Sequence, residues 1–150
     1  MIVERQLEVA IIAAISKLGI DARIVGAWDD TPAGVVKGTG DASKAAIAVV
    51  VAPRAYDGFL SSQADFACSI AVTVRRDSCP MGEEIAEIIE PLFVKLREWN
   101  CDEDAVFADL TTEAFHPAGI SLTGGSAPTY DSAAAVWSVA QTFTVRGIIS

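Results

Sequence analysis

Apolar side chains along this chain follow helical spacing in two places and strand spacing in several others. Val3, Leu7, Ile11, Ile15 and Leu18 form one stripe of an amphipathic helix over residues 2–18. Ala10, Ala13 and Ala14 raise its propensity, Glu4 and Glu8 sit toward the positive end of its dipole, and Gly19 supplies the stop. Ile20 to Trp28 alternates loosely, as a strand fed directly from that helix does. Ala45 to Ala52 runs apolar without alternation, which predicts a central strand covered on both faces and ended by Pro53. Asp65 to Arg76 alternates cleanly, with Phe66, Cys68, Ile70, Val72 and Val74 opposite Ala67, Ser69, Ala71, Thr73 and Arg75.

Asp77 to Pro80 offers cap chemistry for a second helix, whose stripe is Ile85, Ile88, Ile89, Leu92, Phe93, Leu96 and Trp99, with Glu83, Glu84, Glu87 and Glu90 outside it. Pro91 removes one amide donor within that helix and predicts a kink near Glu87. Cys101 to Ala108 reads as a short helical turn, and Leu110–Phe115 and Gly119–Leu122 as short strands around His116-Pro117. Thr123 to Asp131 reads as a loop. Ser132 to Ile149 is a long terminal strand with Trp137, Val139, Gln141, Phe143 and Val145 on one face. Between the elements, Asp29 to Ser43 is too poor in apolar residues to order itself and predicts a long flexible loop after the first strand, and Arg54 to Ala64 is a Gly/Ser-rich turn. Helices segregated from strands joined by hairpin-length turns predict an α+β fold, a mostly antiparallel sheet with two helices packed on one face, in a single domain spanning residues 1–150.

Composition narrows the function classes. Apolar residues make up 51% of the chain and charged residues 21%, a globular balance. No apolar stretch approaches the 18 or so residues a bilayer span needs, so no membrane association is expected. The net charge of −9 is lopsided: residues 1–75 carry 7 basic and 8 acidic side chains, residues 76–150 carry 4 and 12. Such a field repels phosphate, so no specific nucleic-acid partner is expected.

Candidate chemistry is sparse. One histidine, His116, and cysteines 11 and 22 residues apart do not make a metal-ligand set, and no cofactor is expected. Cys68 falls on an apolar strand face, where a buried thiol acts as a small hydrophobe, and Cys101 lies beside Asp102, Glu103 and Asp104, which disfavour its thiolate. Gly38-Thr39-Gly40 leads into a strand where a dinucleotide fingerprint needs a helix. The turn Arg54, Tyr56, Asp57 and Phe59, an aromatic pair with both charge signs, is the candidate surface for contact with another protein chain.

The order of a leading amphipathic helix, a long loop, the strand Ala46–Val51, the alternating strand Phe66–Val74, an acidic helix and a last strand Ala135–Val145 resembles the tail terminator (minor tail protein U) family of long-tailed bacteriophages and the related neck proteins. Two details carry the resemblance, the internal proline of the second helix (Glu90-Pro91-Leu92) and the tryptophan followed by alternating small and apolar residues (Trp137 to Val145). The resemblance implies an α+β protomer with no enzymatic activity that forms a ring, a hexamer, on the head-proximal end of the tail tube. There it halts tube polymerisation and meets the head-completion or connector protein. Its implied partners are itself, the tail tube protein and the connector; its implied location is the virion, with host cytoplasm during assembly. Two other classes stay open, a small-molecule-binding or regulatory α+β module, which predicts a concave pocket with convergent polar groups, and a thiol enzyme using Cys79.

Overall fold

A computed structural model describes the protein at residues 2–28, 45–53, 55–56, 62–75 and 83–150. Helix α1 (Val3–Ser16) is followed by strands β1 (Arg23–Gly26), β2 (Ala45–Val51), β3 (Ala55–Tyr56) and β4 (Gln63–Arg75). Helices α2 (Glu83–Cys101) and α3 (Glu103–Leu110) come next, then strands β5 (Phe115–Gly125), β6 (Thr129–Asp131) and β7 (Val136–Ile149). The strands form one seven-stranded sheet in the order β1-β2-β4-β7-β5, with β3 beside β4 and β6 beside β7. Among the described strands, β1 and β2 pair in parallel and the other pairings are antiparallel. The expected α+β fold is present, with helices packed on one face of the sheet.

The α1 stripe folds as its spacing requires. Val3, Leu7, Ile11 and Ile15 are buried, and Gly19 takes the left-handed conformation (φ +70°) that a residue without Cβ adopts freely. Burying each such aliphatic side chain contributes about 1.5–3 kcal/mol, enough to hold a helix whose isolated form would fray. Strand β4 pairs with β7 over thirteen residues in unbroken register, from Gln63 opposite Ile148 to Arg75 opposite Val136. Phe66 meets Phe115 edge to face, centroids 5.0 Å apart. Gly147 leaves room for that packing, since a Cβ there would lie 2.7 Å from the Phe115 ring.

Several expectations are corrected. The segment after Cys101 is a third helix, α3, so three helices cover the sheet where two were expected; Asp102 caps it by accepting the amides of Asp104 (2.9 Å) and Ala105 (3.3 Å). β2 is covered on one face only: Ala45, Ile47, Val49 and Val51 are buried, but Val50 is exposed and Ala46 and Ala48 are half-buried. Its unbroken apolar run reflects small alanines on a face that stays partly open, with no described helix packed over it. Leu110 ends α3, and β5 runs straight through His116-Pro117 as an edge strand, with register shifts at Pro117/Gly119 and Leu122/Gly124. The loop before Asp131 holds β6, and residues 132–135 form a turn that closes on Ala135 (φ +54°). Asp29–Ser43 lies outside the described residues.

Candidate functional site

Three features of the structure carry unusual chemistry, the first at the corner where α1 meets β1. Glu8 projects from the middle of α1 onto the turn after β1, and at 2% exposure it is a buried acid rather than the solvated dipole partner its position suggested; Glu4 is buried too. Its Oε1 accepts the Trp28 amide at 2.9 Å, whereas Oε2 has no hydrogen-bond partner. Burial pushes the Glu8 carboxyl up from its ordinary range, partly opposed by the amides of Trp28, Ala27 and Val51 and by the Arg5 charge. Arg5 donates to the Trp28 carbonyl, and the Trp28 indole donates to the Val51 carbonyl at 2.6 Å. Gly26 is required here because a Cβ would collide with the Glu8 carboxylate. The corner is a backbone clamp made of one anion, one cation and one indole.

The second feature joins α2 to α3. Trp99, buried at the end of the α2 stripe, donates its indole N–H to Asp109 at 2.8 Å, and Lys95 reaches the same carboxylate oxygen at 2.7 Å. Burial alone would raise Asp109, but the Lys95 and Trp99 hydrogen bonds and the Lys95 charge outweigh it and hold the carboxyl below its ordinary range. Beside this clamp, Ile89 and Phe93 are only half-buried, because they line a cleft of about 540 Å³ between α2 and strands β5 and β7. Leu96, Leu122 and Pro128 complete its apolar wall, and Glu90, Arg97 and Gln141 are its polar members.

The third feature is the sheet face turned away from the helices. By register, Ala46, Ala48 and Val50 of β2, Ala67, Ser69, Ala71 and Thr73 of β4, and Ser138, Ala140, Thr142 and Thr144 of β7 share that face. None of them is buried. Three arginines, Arg23, Arg75 and Arg146, stand on it with Asp65 and Asp131; Arg146 and Asp65 approach to 3.9 Å.

Of the sequence-predicted contact residues, Arg54, Asp57 and Phe59 lie outside the described residues. The Tyr56 backbone pairs with Ala64 in β3. Cys68 is buried as expected, and burial together with the Glu8 charge pushes its thiol up to about 12, so it is inert at neutral pH. Cys101 is exposed and Cys79 lies outside the described residues. Among the described residues no His, Cys, Asp and Glu cluster fits a metal ion, and no helix is long and apolar enough to cross a membrane. Glu8 lies at the edge of the buried stripe of α1, beside Ile11 and Ile15, but helical spacing alone does not tell a buried carboxylate from a solvated one. The signal was Gly26, a glycine inside a strand pattern, which marks a close approach.

No family model matches the chain, and no curated protein matches it. Among solved structures, a chain of the "Virion of native gene transfer agent (GTA) particle" aligns over 97% of this chain and 91% of that chain, at 18% identity and a TM-score of 0.45. A likeness this loose does not carry function.

Proposed function

We propose that this protein is a structural subunit of a phage-type virion that assembles into a six-membered ring at the head-proximal end of a tail tube. There it stops tube polymerisation and offers a surface to the head connector; it performs no catalysis. The observation that carries the reading is the sheet face of small side chains, on which none of the described helices packs, so that this side is available for assembly. The resemblance to tail terminators supports it, since the element order, Pro91 inside α2 and Trp137 at the start of β7 all sit where that family's pattern implies. The acidic balance suits a ring around passing DNA, because a surface poor in Lys and Arg does not hold phosphate.

Light scattering across a wide concentration range, with and without magnesium, tests the reading, together with addition of the protein to growing tail tubes. A mass that climbs toward six protomers and tubes that cease to elongate are the expected results. A stable dimer at every concentration that leaves tube growth unaltered would overturn it. The cleft beneath α2 favours a second reading, a small-molecule-binding module, because it is apolar with few polar groups and of ordinary ligand size. That reading requires saturable binding of an amphipathic ligand, lost in Phe93→Ala.

A further inference from the structure

We propose that the acidic helical layer of one copy of this protein docks on the open sheet face of the next copy, so that assembly proceeds through one heterologous contact repeated head to tail. The two surfaces lie on opposite sides of the protomer. Residues 83–110, which form α2 and α3, carry nine acidic and two basic side chains, net −7. Glu87, Glu90, Glu98, Asp102, Glu103 and Asp104 are exposed there, and Lys95 is spent on Asp109 and Glu98. The described residues of the sheet face are close to neutral, with three arginines against two aspartates. Asp65 lies near Arg146, and Asp131 is occupied by the amides of Ala133 and Ala134, whereas Arg75 stands exposed at the end of β4.

Charge then selects the partner surface. Two helical layers brought together would oppose −7 with −7, a repulsion that like-charged faces cannot relieve. A helical layer on a sheet face opposes −7 with a near-neutral surface bearing arginines. Shape and area agree with that choice. The outer residues of β2, β4 and β7 are mostly Ala, Ser and Thr, which let helices approach a sheet closely and leave a flat platform. Strands β2, β4, β7 and β5, averaging about eleven residues at about 3.4 Å each and lying about 4.8 Å apart, cover roughly 700 Å², close to the roughly 800 Å² per partner of a stable interface. A docked neighbour supplies a helical layer on the face where none of the described helices packs. Because the two patches differ, the contact is heterologous and closes into a ring or grows as a filament.

The inference deepens the ring reading and rests on it for closure at six, and the test separates the two. In a Cys79→Ser background, Thr73→Cys sets a thiol on the outer face of β4, while native Cys101 stands exposed at the end of α2. A short bis-maleimide, added at concentrations where light scattering shows association, should link the Thr73→Cys thiol of one copy to Cys101 of another. Peptide mass spectrometry identifies that link, and the products should form a ladder beyond dimer. Dimers joined solely through two Cys101 thiols would show helix against helix and overturn the inference. A six-protomer mass without the sheet-to-helix link would overturn it and leave the ring reading standing. A ladder that passes six without closing would support the contact and overturn the ring. A monomer at every concentration would overturn the contact. As a second measure, Glu87→Lys with Glu90→Lys should weaken association at least tenfold, Arg75→Glu should do the same, and the combination should recover most of the loss; association unchanged in both would count against the contact.

Discussion

Along β4 the even-numbered positions Phe66, Cys68, Ile70, Val72 and Val74 are buried under the helices, whereas on the opposite face Ala67 and Thr73 are exposed and Ser69 and Ala71 half-buried. Both sets hang from one backbone ladder, paired residue for residue with β7. The difference is therefore in volume, and it separates two demands on a sheet. The inner face must fill space at the density of a crystal, so every side chain there is large or matched to its neighbour. The outer face is kept small, which lowers what each residue contributes to folding and leaves the surface flat. The largest expected effect comes from breaking the inner face. Phe143→Ala, fully buried opposite Cys68, should cost about 3–5 kcal/mol in urea unfolding followed by circular dichroism. A cost under about 1 kcal/mol would mean that the inner face is not the core.

The α1–β1 corner offers a sharper version of the same comparison, because there the inner face admits a charge. Gly26→Ala places a methyl where the Glu8 carboxylate sits, and should cost about 2–3 kcal/mol by displacing an anion from its amides. In a Glu8→Ala background the same change should cost less than about 1 kcal/mol, since the carboxylate is gone and only the end of the Ile12 side chain, 3.0 Å away, has to give. Equal costs in both backgrounds would show that the carboxylate and Gly26 are not in contact. Glu8 also carries a pH signature. Its folded pKa is raised, so the folded state takes up a proton more readily than the unfolded chain. Stability from this group is fully present below its ordinary 4.5 and is lost as pH rises through the folded value. The difference between the wild type and Glu8→Gln should therefore fall on going from acid toward neutral pH.

Much of this arrangement is legible in the amino-acid sequence, and what escapes has a physical cause. Period-four spacing in α1 and strict alternation in β4 and β7 report the inner face directly, because burial there is a matter of which phase is apolar. The same logic misread β2, where alanines on an open face look like a second buried face; alanine satisfies an apolar count without requiring cover. Helix α3 reads as a mere turn because eight residues leave little periodicity, although Asp102 marks its cap. Glu8 stayed hidden because a carboxylate is read as exposed until a facing glycine and three amides are brought beside it in space. The predicted contact turn, Arg54 to Phe59, rested on composition alone, whereas the open sheet face required knowing which strands are neighbours.

The clamp between α2 and α3 sits at the edge of the inner face and should show an intermediate effect. Asp109→Asn weakens the Lys95 ion pair and the Trp99 indole contact, and should cost about 1–2 kcal/mol at neutral pH. The sign with pH is opposite to that of Glu8. The Asp109 folded pKa is depressed, so its contribution is present above the ordinary 3.8 and is lost as pH falls through the folded value. The gap between wild type and Asp109→Asn should close on acidification below about 3.8. A gap that persisted into strong acid would assign the loss to packing around Trp99 instead of charge.

The smallest effect is expected on the outer face, and there the comparison is most exposed to failure. Thr144→Ala and Ala71→Ser alter side chains that touch no helix and stand on strands already paired on both sides. Their cost to unfolding of the dilute protein should stay within about 0.5 kcal/mol, the range of ordinary surface changes. Packing against the other described residues of this protomer does not account for the ten Ala, Ser and Thr side chains on one face of β2, β4 and β7. A docked neighbour would account for them, because each added methylene would hold two flat surfaces apart. Ala71→Phe is then the discriminating change: on a surface that stays in water it should leave the unfolding midpoint of the dilute protein nearly unmoved, and on a surface that is covered in the assembly it should lower the oligomeric mass by light scattering at concentrations where the wild type associates. A midpoint lowered as far as in Phe143→Ala would place Ala71 in a packed interior, and the contrast between the two faces of β4 would be lost.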